Sequence, residues 1–492
     1  MEPMSRPLRA ALQPVRGVLR PLQRMSPLMG GGHHLHAPAG SPGARHIAAT
    51  GRSYDVVVIG AGVIGASCSL ELRRLGLSTL NVDANPSPGY GSTSSSSAII
   101  RHFYSLEDTA RLAWEGYHCW KAWADHLEAT AGEDLCQLIE VGCSAVDTPA
   151  SPACQTYLSR VRKAMEACSI PVEYWDEPEV RRRLPYVSTA SYFPPRRVED
   201  DRFGEENGSI AGILFCAQAG YVNDPQLAAR NVADAAVRRG GDFRWRARVT
   251  KILRDSTGAK VCGVALEDGS VVHTPVVVNA AGPHSAAIHQ LAFDGASVKD
   301  DSKVASRPLR VEVAYLPEPP GSNIDETLPV IADIDTGVYL RPQRGGQLLV
   351  GSIEPECDTL HFLNAPEEMQ EGLTEEWTNL AYRAALRLPE LQVPNSGAGL
   401  SAMYDTTPDW VPIYDKTALA GFYSMRGTSG NQFKTAPVVG RACARLVESC
   451  QNGHDHDRDP LTLPLQHTSG TLNLGLFSRL RADEATSGTV LG

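Results

Sequence analysis

Two basic residues stand in stretches that otherwise look buried, and both could bind an anion. Arg101 follows two isoleucines in the segment IIRHFY, and Lys434 follows a phenylalanine in SGNQFKTAP. A guanidinium or ammonium group is costly to bury unless it meets an anion. Lys434 also stands before a predicted closing helix, whose N-terminus disfavours a cation unless an anion is present. A solvated surface position is the alternative for each residue, but the pattern favours an anion-binding pocket.

Residues 54–84 have the pattern of a dinucleotide-binding βαβ unit. A β-branched run ends in the motif formed by Gly60, Gly62 and Gly65, a stretch with helical spacing follows, and a second short strand ends at Asp83. Glycines let the backbone approach a pyrophosphate at the helix N-terminus, and an acid after the second strand can accept from a ribose hydroxyl. Because the carboxylate of Asp83 would repel a 2′-phosphate, the pattern predicts FAD or NAD.

The composition is typical of a globular chain and excludes some functions. A chain of 492 residues with 42% hydrophobic content can bury a large core and suits one large or two interleaved domains. No apolar run approaches the roughly 18 to 20 residues that a spanning helix needs, so we do not expect a transmembrane protein. The 11 cysteines include no C-x-x-C pair, and we expect them to be reduced and structural.

Residues 1–52 differ in composition from the rest of the chain. They carry seven arginines, no lysine and one acidic residue, Glu2. An arginine-rich, acid-poor leader is typical of an organellar transit peptide, and a disordered leader without a targeting role is the alternative. We expect a location in the mitochondrial matrix, with chloroplast or cytoplasm as alternatives. Removal of the leader would change the formal charge from −10 to −16, which argues against a nucleic-acid partner.

Several separated motifs together resemble the FAD-dependent D-amino-acid oxidase superfamily, and more closely its sarcosine oxidase and sarcosine/dimethylglycine dehydrogenase branch. Besides the glycine motif, they are GYGSTSSSSAIIRHFYSLED at 89–108, VVVNAAGPHS at 276–285 and MRGTSGNQFKTAPVVG at 425–440. The resemblance covers about 54–447. It implies an α/β fold, α+β overall, in which a Rossmann-like FAD-binding domain is interleaved with a mixed-sheet substrate domain, as in glutathione-reductase-type flavoproteins.

The resemblance also implies non-covalent FAD. In that family a Ser/Thr-rich segment packs around the flavin, a strand after a helix contacts the adenine, and amides at a helix N-terminus face the flavin carbonyl edge. Two branches attach the flavin covalently through a cysteine or a histidine, where this chain has Ala402 and Ser95. The cofactor-binding positions implied here are Gly60, Gly62, Gly65, Asp83, Ser92, Thr93, Ser94, Val249, Gly282, Gly427, Gly430 and Asn431.

A substrate site for a carboxylate is implied in the same way. Arg101 and Lys434 match two cations that clamp the substrate carboxylate, and Tyr404 matches a pocket tyrosine that could orient the amine. Asn431 and Gln432 stand where the family usually has His and Gly, which leaves the substrate side chain open. The implied reaction is oxidation of the C–N bond of a small amino acid or an N-methylated, sarcosine-like amino acid.

The strand GGQLLVGSIE at 345–354 bears on the electron acceptor. Sarcosine oxidases place a lysine over the flavin in the comparable strand, and a positive charge there stabilises developing superoxide. This chain has Leu348 and Leu349 instead. We therefore expect a dehydrogenase rather than a fast oxidase, with an electron-carrier protein or a quinone as acceptor. The alternatives are a flavin-binding mitochondrial assembly or scaffold protein of the same fold and an NAD-linked dehydrogenase.

The motifs also suggest a division of the chain. We expect a leader at 1–52, FAD-binding pieces at 53–110, 210–300 and 400–450, and substrate-domain pieces at 111–209 and 301–399. Helices are predicted at 225–239 and 366–387, strands at GVYLRPQ and GQLLVGSIE, and an exposed loop at 194–209. The polar segment 451–492 is predicted to be a poorly ordered tail.

Overall fold

The computed structural model describes residues 53–492, so the leader and its targeting role lie outside the described residues. The chain begins with β1 (Val56–Ile59), α1 (Val63–Arg74), β2 (Thr79–Val82), β3 (Ile99–Ile100), α2 (Glu107–Lys121), α3 (Trp123–Leu127), β4 (Leu138–Ile139), β5 (Cys143–Asp147), α4 (Pro152–Ala167), β6 (Glu173–Asp176) and α5 (Glu177–Arg183). It continues with β7 (Gly212–Cys216), β8 (Gly220–Val222), α6 (Pro225–Arg238), β9 (Asp242–Arg244), β10 (Val249–Arg254), β11 (Val261–Leu266), β12 (Val271–His273), β13 (Val276–Asn279), α7 (Ser285–Phe293) and β14 (Arg307–Pro317). It ends with α8 (Ile324–Thr327), β15 (Val330–Asp333), β16 (Val338–Gln343), β17 (Gln347–Ser352), β18 (His361–Phe362), α9 (Glu375–Arg387), β19 (Ala398–Thr406), β20 (Ile413–Lys416), β21 (Phe422–Arg426), α10 (Ala436–Gln451), β22 (Thr462–Pro464) and β23 (Thr471–Asn473).

A six-stranded sheet contains the predicted βαβ unit. Its strand order is β20, β21, β13, β1, β2, β9, and all pairs are parallel except β20 with β21. β1 and β2 are fully buried, as expected for parallel strands covered on both faces. The amide of Asn81 donates to the carbonyls of Gly60 and Gly65, at 3.1 and 3.2 Å, and so fixes the turn that joins β1 to α1.

A second, nine-stranded mixed sheet carries most of the remaining strands. Its order is β18, β14, β17, β16, β15, β5, β7, β6, and β19 pairs with β14. β5 and β15 are parallel, whereas the other neighbours in the sheet are antiparallel. The strands predicted at GVYLRPQ and GQLLVGSIE are confirmed as β16 and β17. Residues 53–492 lie in one compact unit, and the predicted division into cofactor and substrate pieces stays a prediction.

The helix predictions have mixed outcomes. α6 confirms the first, since Asp224 caps it by accepting from the amide of Leu227 at 2.8 Å. The second is wrong in extent: a 3-10 turn covers Pro366–Glu368, and α9 begins only at Glu375. Thr374 caps α9, and Gly372, at a φ of 104°, breaks the helical backbone before it. The 194–209 loop contains no helix and no fully buried residue, as predicted.

The prediction that 451–492 is poorly ordered is wrong. Leu463, Leu472 and Phe477 are buried in the hydrophobic cluster that also contains residues of the six-stranded sheet. β22 pairs with β23. The polar residues that suggested disorder form buried ion pairs. Arg479, for example, donates to Asp415 at 3.0 Å and to Asp457 at 2.8 Å. None of the described helices is both long enough and apolar enough to cross a membrane.

Candidate active site

A cavity of about 880 Å³ lies between the two large sheets. On one side it is lined by residues at the carboxyl ends of β1, β2 and β13, where cofactors bind in open α/β sheets. On the other side it is lined by residues of β14, β15, β16 and β19 from the nine-stranded sheet. The predicted dinucleotide motif and the predicted anion-binding residues therefore share one cavity.

The glycine motif lets the turn before α1 pack closely against its neighbours at the edge of the cavity. Gly60 has a φ of 105°, and a Cβ there would lie 2.3 Å from the carbonyl oxygen of Ala280. A Cβ on Gly62 would lie 3.0 Å from Oγ1 of Thr93. The carboxylate of Asp83 accepts from the amide of Ala61 at 2.7 Å and so ties the end of β2 to the glycine turn. This cradle fits a pyrophosphate and the ribose beside it.

Most of the predicted cofactor positions line the cavity. Those that line it are Gly60, Gly62, Asp83, Ser92, Thr93, Val249, Gly282, Gly430 and Asn431. Three predicted positions, Gly65, Ser94 and Gly427, do not. A Cβ on Gly65 would lie 2.3 Å from the carbonyl oxygen of Gly60. The lack of a side chain at Gly65 therefore lets α1 pack closely against the turn that precedes it. Ser94 Oγ donates to the Gly91 carbonyl at 2.9 Å.

Gly427 requires a correction. Its amide donates to Oδ2 of Asp405 at 2.6 Å, so it is not available to the carbonyl edge of a flavin. The amide of Asn431 likewise donates to the Thr428 carbonyl at 3.0 Å, although the residue lines the cavity. The helix N-terminus predicted to face the flavin therefore approaches the cavity through Gly430 and the residues after it, with a 3-10 turn at Phe433–Thr435 preceding α10.

Arg101 and Lys434 both line the cavity and both contact Tyr104. The guanidinium of Arg101 lies 4.6 Å from the Tyr104 ring centre, and Nζ of Lys434 lies 5.4 Å from it. Lys434 Nζ also donates to the Tyr104 hydroxyl at 3.0 Å and to the Asn431 carbonyl at 2.5 Å. Both cations are buried, and no carboxylate of the described residues bonds to either of them. The structure therefore brings the two predicted anion-binding residues together, and their binding of an anion stays a prediction.

The buried surroundings shift the pKa values of Lys434 and Tyr104. Burial, and then the charge of Arg101, hold the pKa of Lys434 well below its ordinary value of 10.5. Burial raises the pKa of Tyr104 to about 12. A buried lysine beside an arginine favours any ligand that brings a negative charge, because that charge stabilises both cations. The site therefore favours an anionic ligand.

Both terminal nitrogens of Arg101 donate to carbonyls within the protein. Nη1 donates to the carbonyls of Phe103 at 2.5 Å and Leu491 at 3.0 Å, and Nη2 donates to the Val490 carbonyl at 2.6 Å. Val490 and Leu491 also line the cavity. The segment that the sequence predicted to be disordered thus contributes to the predicted carboxylate site.

Tyr404 lies on β19 and lines the cavity, as predicted. A Cβ on Gly430 would lie 2.5 Å from its ring, so the glycine allows the ring to pack directly against the backbone of the 428–434 loop. Burial raises the pKa of the Tyr404 hydroxyl well above its ordinary value, which keeps it a hydrogen-bond donor. Ala402 and Ser95, which occupy the two covalent attachment positions, line the same cavity.

Sequence reasoning missed several residues of this site. Tyr104 stands three positions after Arg101 in the same motif, and this proximity could have suggested it. Trp120, whose indole nitrogen donates to the Lys434 carbonyl at 2.8 Å, gave no local signal. Glu354, which accepts from the amide of Val490 at 2.9 Å, gave none either, because its role depends on the position of a distant segment.

A cation near the GGQLLVGSIE strand was also missed. β17 carries Leu349 and no basic residue, but Arg341 on β16 lies directly opposite Leu349 in the sheet. Arg341 stacks over the ring of Tyr221 at 4.1 Å, and its Nε and Nη1 have no hydrogen-bond partner among the described residues. Burial lowers its pKa to about 10. Neither Arg341 nor Leu349 lines the cavity.

Comparison with known proteins identifies the class to which this fold and cavity belong. The profile of the family described as FAD dependent oxidoreductase (DAO) matches residues 55–446. The N-methyl-L-tryptophan oxidase of Yersinia pestis (strain Pestoides F) is 27% identical over 229 residues, which cover 46% of this chain and 53% of that protein. The chain thus spans about half the length of the curated relatives it matches.

Solved structures share the fold over a larger part of this chain than the curated relative does. Glycine oxidase from Geobacillus kaustophilus has a TM-score of 0.63 at 21% identity, with 85% of this chain and 100% of that chain covered. L-proline dehydrogenase from P. horikoshii has a TM-score of 0.67 at 17% identity, with 87% and 98% covered. The chain belongs to the DAO family of FAD-dependent oxidoreductases. The predicted family, fold class and FAD cofactor are confirmed.

Proposed function

We propose that the protein oxidises the C–N bond of a small amino acid or an N-methylated, sarcosine-like amino acid. One observation carries the proposal: two buried cations, Arg101 and Lys434, contact the same tyrosine, Tyr104, and line the same cavity as the glycine cradle. Buried cations without an acidic partner are stabilised by an anionic ligand. In a substrate of this class the anion is the carboxylate.

The residues of the chain would orient the substrate and adjust its protonation. Charge-assisted hydrogen bonds from the two cations would hold the carboxylate, and the hydroxyl of Tyr404, which lines the same cavity, would donate to the amine. FAD, when bound, would accept the hydrogen and the two electrons of the Cα–H bond, while the nitrogen lone pair turns the C–N bond into a C=N bond. The nearby positive charges disfavour an ammonium group, so the amine is held in its neutral form, from which oxidation can proceed. The products are an imine, which water hydrolyses, and one proton.

The names of the relatives support this class of substrate. N-methyl-L-tryptophan, glycine and L-proline each combine a carboxylate with an amine, and the last two enzymes share only the fold with this chain. None of them decides the side chain here. Asn431 and Gln432, which depart from the usual family residues, line the cavity next to Lys434 and are positioned to affect that choice.

We further propose that electrons pass to a carrier protein or a quinone, which makes the enzyme a dehydrogenase. The absence of a cation on β17 supports this, while Arg341 on the neighbouring strand is the feature that could oppose it. The composition of residues 1–52 supports a mitochondrial location, which would supply such acceptors.

The direct test is anaerobic reduction of the purified yellow protein by a panel of amino acids and N-methylated amino acids. Bleaching of the flavin absorbance by a member of the panel, with formation of the matching aldehyde or keto acid, is the expected result. A protein that retains FAD and is reduced by no member of the panel would contradict the proposal. That outcome would favour the assembly or scaffold role.

A further inference from the structure

Residues 489–492, named here the plug segment, run past the part of the cavity that holds Arg101, where Val490 and Leu491 form part of the lining. Val490 and Leu491 are buried, with 7% and 5% of their surface exposed. The segment contains no helix or strand, so its position depends on contacts with the cavity wall. These contacts are made to the residues that the proposed function assigns to substrate binding.

The plug segment is held mainly through its backbone. The carbonyls of Val490 and Leu491 accept from Arg101 at 2.6 and 3.0 Å. The Val490 carbonyl also accepts from the side-chain amide of Asn431 at 3.3 Å, and the Val490 amide donates to Glu354 at 2.9 Å. The Gly492 carbonyl accepts from Ser105 Oγ at 3.1 Å. Neutral carbonyl oxygens therefore occupy the donors expected to hold a carboxylate.

The chain just before the plug segment is anchored independently of the cavity. Arg481 forms a buried ion pair with Asp409, with contacts of 2.8 and 2.9 Å. Thr486 Oγ1 donates to the Asp409 carbonyl at 2.8 Å, and Arg160 donates to the Ala485 carbonyl at 2.8 Å. Residues up to 486 therefore have contacts that do not depend on the position of the plug segment.

We propose that the plug segment is a displaceable competitor of the substrate, which must release it from Arg101 before the carboxylate can bind. This inference rests on the proposed function, because it assigns the same site to the substrate. A carboxylate forms stronger, charge-assisted hydrogen bonds with a guanidinium than a neutral carbonyl does, so the exchange favours the ligand at sufficient concentration. A tethered segment acts at an effective concentration in the millimolar range. The plug segment therefore weakens substrate binding without abolishing it.

Two glycines provide a matched pair of variants. Gly492 has a φ of 82°, and a Cβ there would lie 2.6 Å from the ring of Tyr104. Gly488 has a φ of 70°, and a Cβ there meets nothing within 4 Å. Gly492→Ala should therefore displace the plug segment, whereas Gly488→Ala imposes similar backbone strain outside the cavity and serves as the control.

The experiment uses the FAD-loaded full chain and benzoate, a carboxylate with no amine to oxidise. Binding is followed by the change in flavin absorbance, and the exposure of residues 489–491 is followed by amide hydrogen exchange. We expect Gly492→Ala to bind benzoate at least about 10-fold more tightly than wild type, with Gly488→Ala unchanged. We also expect the amides of 489–491 to be protected in wild type and to lose protection when benzoate binds.

The outcomes separate the inference from the function on which it rests. Equal benzoate affinity in wild type and Gly492→Ala would overturn the plug, while leaving the carboxylate site intact. Amides of 489–491 that exchange as fast as in a free peptide would also overturn it, and this measurement does not depend on any variant folding. Failure of benzoate to bind any of the three proteins would contradict the carboxylate site itself and, with it, the competition.

Discussion

Lys434 and Tyr104 lie 330 positions apart in sequence and are joined by a hydrogen bond of 3.0 Å from the lysine Nζ to the tyrosine hydroxyl. Arg101 stacks on the same tyrosine ring, so both buried basic residues contact Tyr104. A ring face attracts cations, and this reduces the cost of keeping the two charges close together. One anionic ligand could therefore contact both basic residues.

Replacing Arg101 by methionine should leave FAD bound and weaken carboxylate binding. The change removes a charge-assisted contact of about 1.5 to 3 kcal/mol, which corresponds to a loss of roughly 10- to 100-fold in affinity. Arg162→Met is a matched control, because Arg162 stacks over Tyr174 at 4.7 Å, much as Arg101 does over Tyr104, and does not line the cavity. Steady-state constants for an amino-acid substrate provide the measurement. Unaltered constants in Arg101→Met would rule out the assignment.

FAD should be released intact by acid precipitation. Ala402 and Ser95 line the cavity at the positions where related enzymes attach the flavin, and neither offers a cysteine sulfur or a histidine ring. The measurement is the absorbance spectrum of the supernatant after denaturation, compared with that of free FAD. Yellow colour that stays in the protein pellet would show covalent attachment at some other residue.

Carboxylate binding should be accompanied by proton uptake at Lys434. Burial and Arg101 depress the pKa of this lysine in the free protein, and a bound anion beside it would raise that pKa again. Affinity for benzoate should therefore be highest at low pH and fall as the pH rises through the pKa of the free lysine. Calorimetry in two buffers of different ionisation enthalpy measures the uptake. Lys434→Met should abolish it, and an equal uptake in that variant would assign the proton to another group.

The cofactor half of the site was readable from sequence because its signals are local. The glycine motif, Asp83 and the Ser/Thr-rich segment each follow from a short pattern whose geometry is fixed by β1, α1 and β2. The role of Gly427 was misjudged because its amide is taken by Asp405, a pairing across 22 positions that no local pattern shows. Local sequence motifs therefore predicted which residues line the cavity, but they did not predict hydrogen bonds such as that from Gly427 to Asp405.

The substrate half depends on contacts between distant segments. The tail was predicted to be disordered because it is polar, yet Arg479 and Arg481 are stabilised by buried carboxylates on other elements. Only tertiary structure shows that such charges have partners. The same holds for Arg341, whose relation to Leu349 depends on the register of β16 and β17.

Glu354 should make stability fall as the pH rises. Burial raises its pKa from 4.5 to about 8 in the folded protein, so the folded state binds a proton that the unfolded state releases above pH 4.5. Its contribution to stability is therefore present below pH 4.5 and is lost progressively as the pH rises to about 8. Glu354→Gln keeps an acceptor for the Val490 amide and cannot ionise. It should be more stable than wild type above pH 8 by up to about 5 kcal/mol, which corresponds to a pKa raised from 4.5 to about 8, with a smaller difference at pH 4.5.

Denaturant unfolding at the two pH values measures this difference. Glu356→Gln, at a neighbouring exposed glutamate, is the control and should behave as wild type at both. A Glu354→Gln variant whose stability relative to wild type is the same at both pH values would contradict the prediction.

Reduced flavin should persist in air if the enzyme is a dehydrogenase. Oxygen reduction begins with the transfer of one electron to give superoxide, and a nearby positive charge stabilises that anion. β17 offers Leu349 at the position compared with the lysine of the oxidases, and Arg341 opposite it does not line the cavity. Stopped-flow mixing of the substrate-reduced enzyme with aerated buffer measures the return of the oxidised spectrum. Rapid return of the oxidised spectrum with peroxide formation would contradict the prediction. If Arg341→Met then lost this rapid return, Arg341 would be identified as the source of the positive charge.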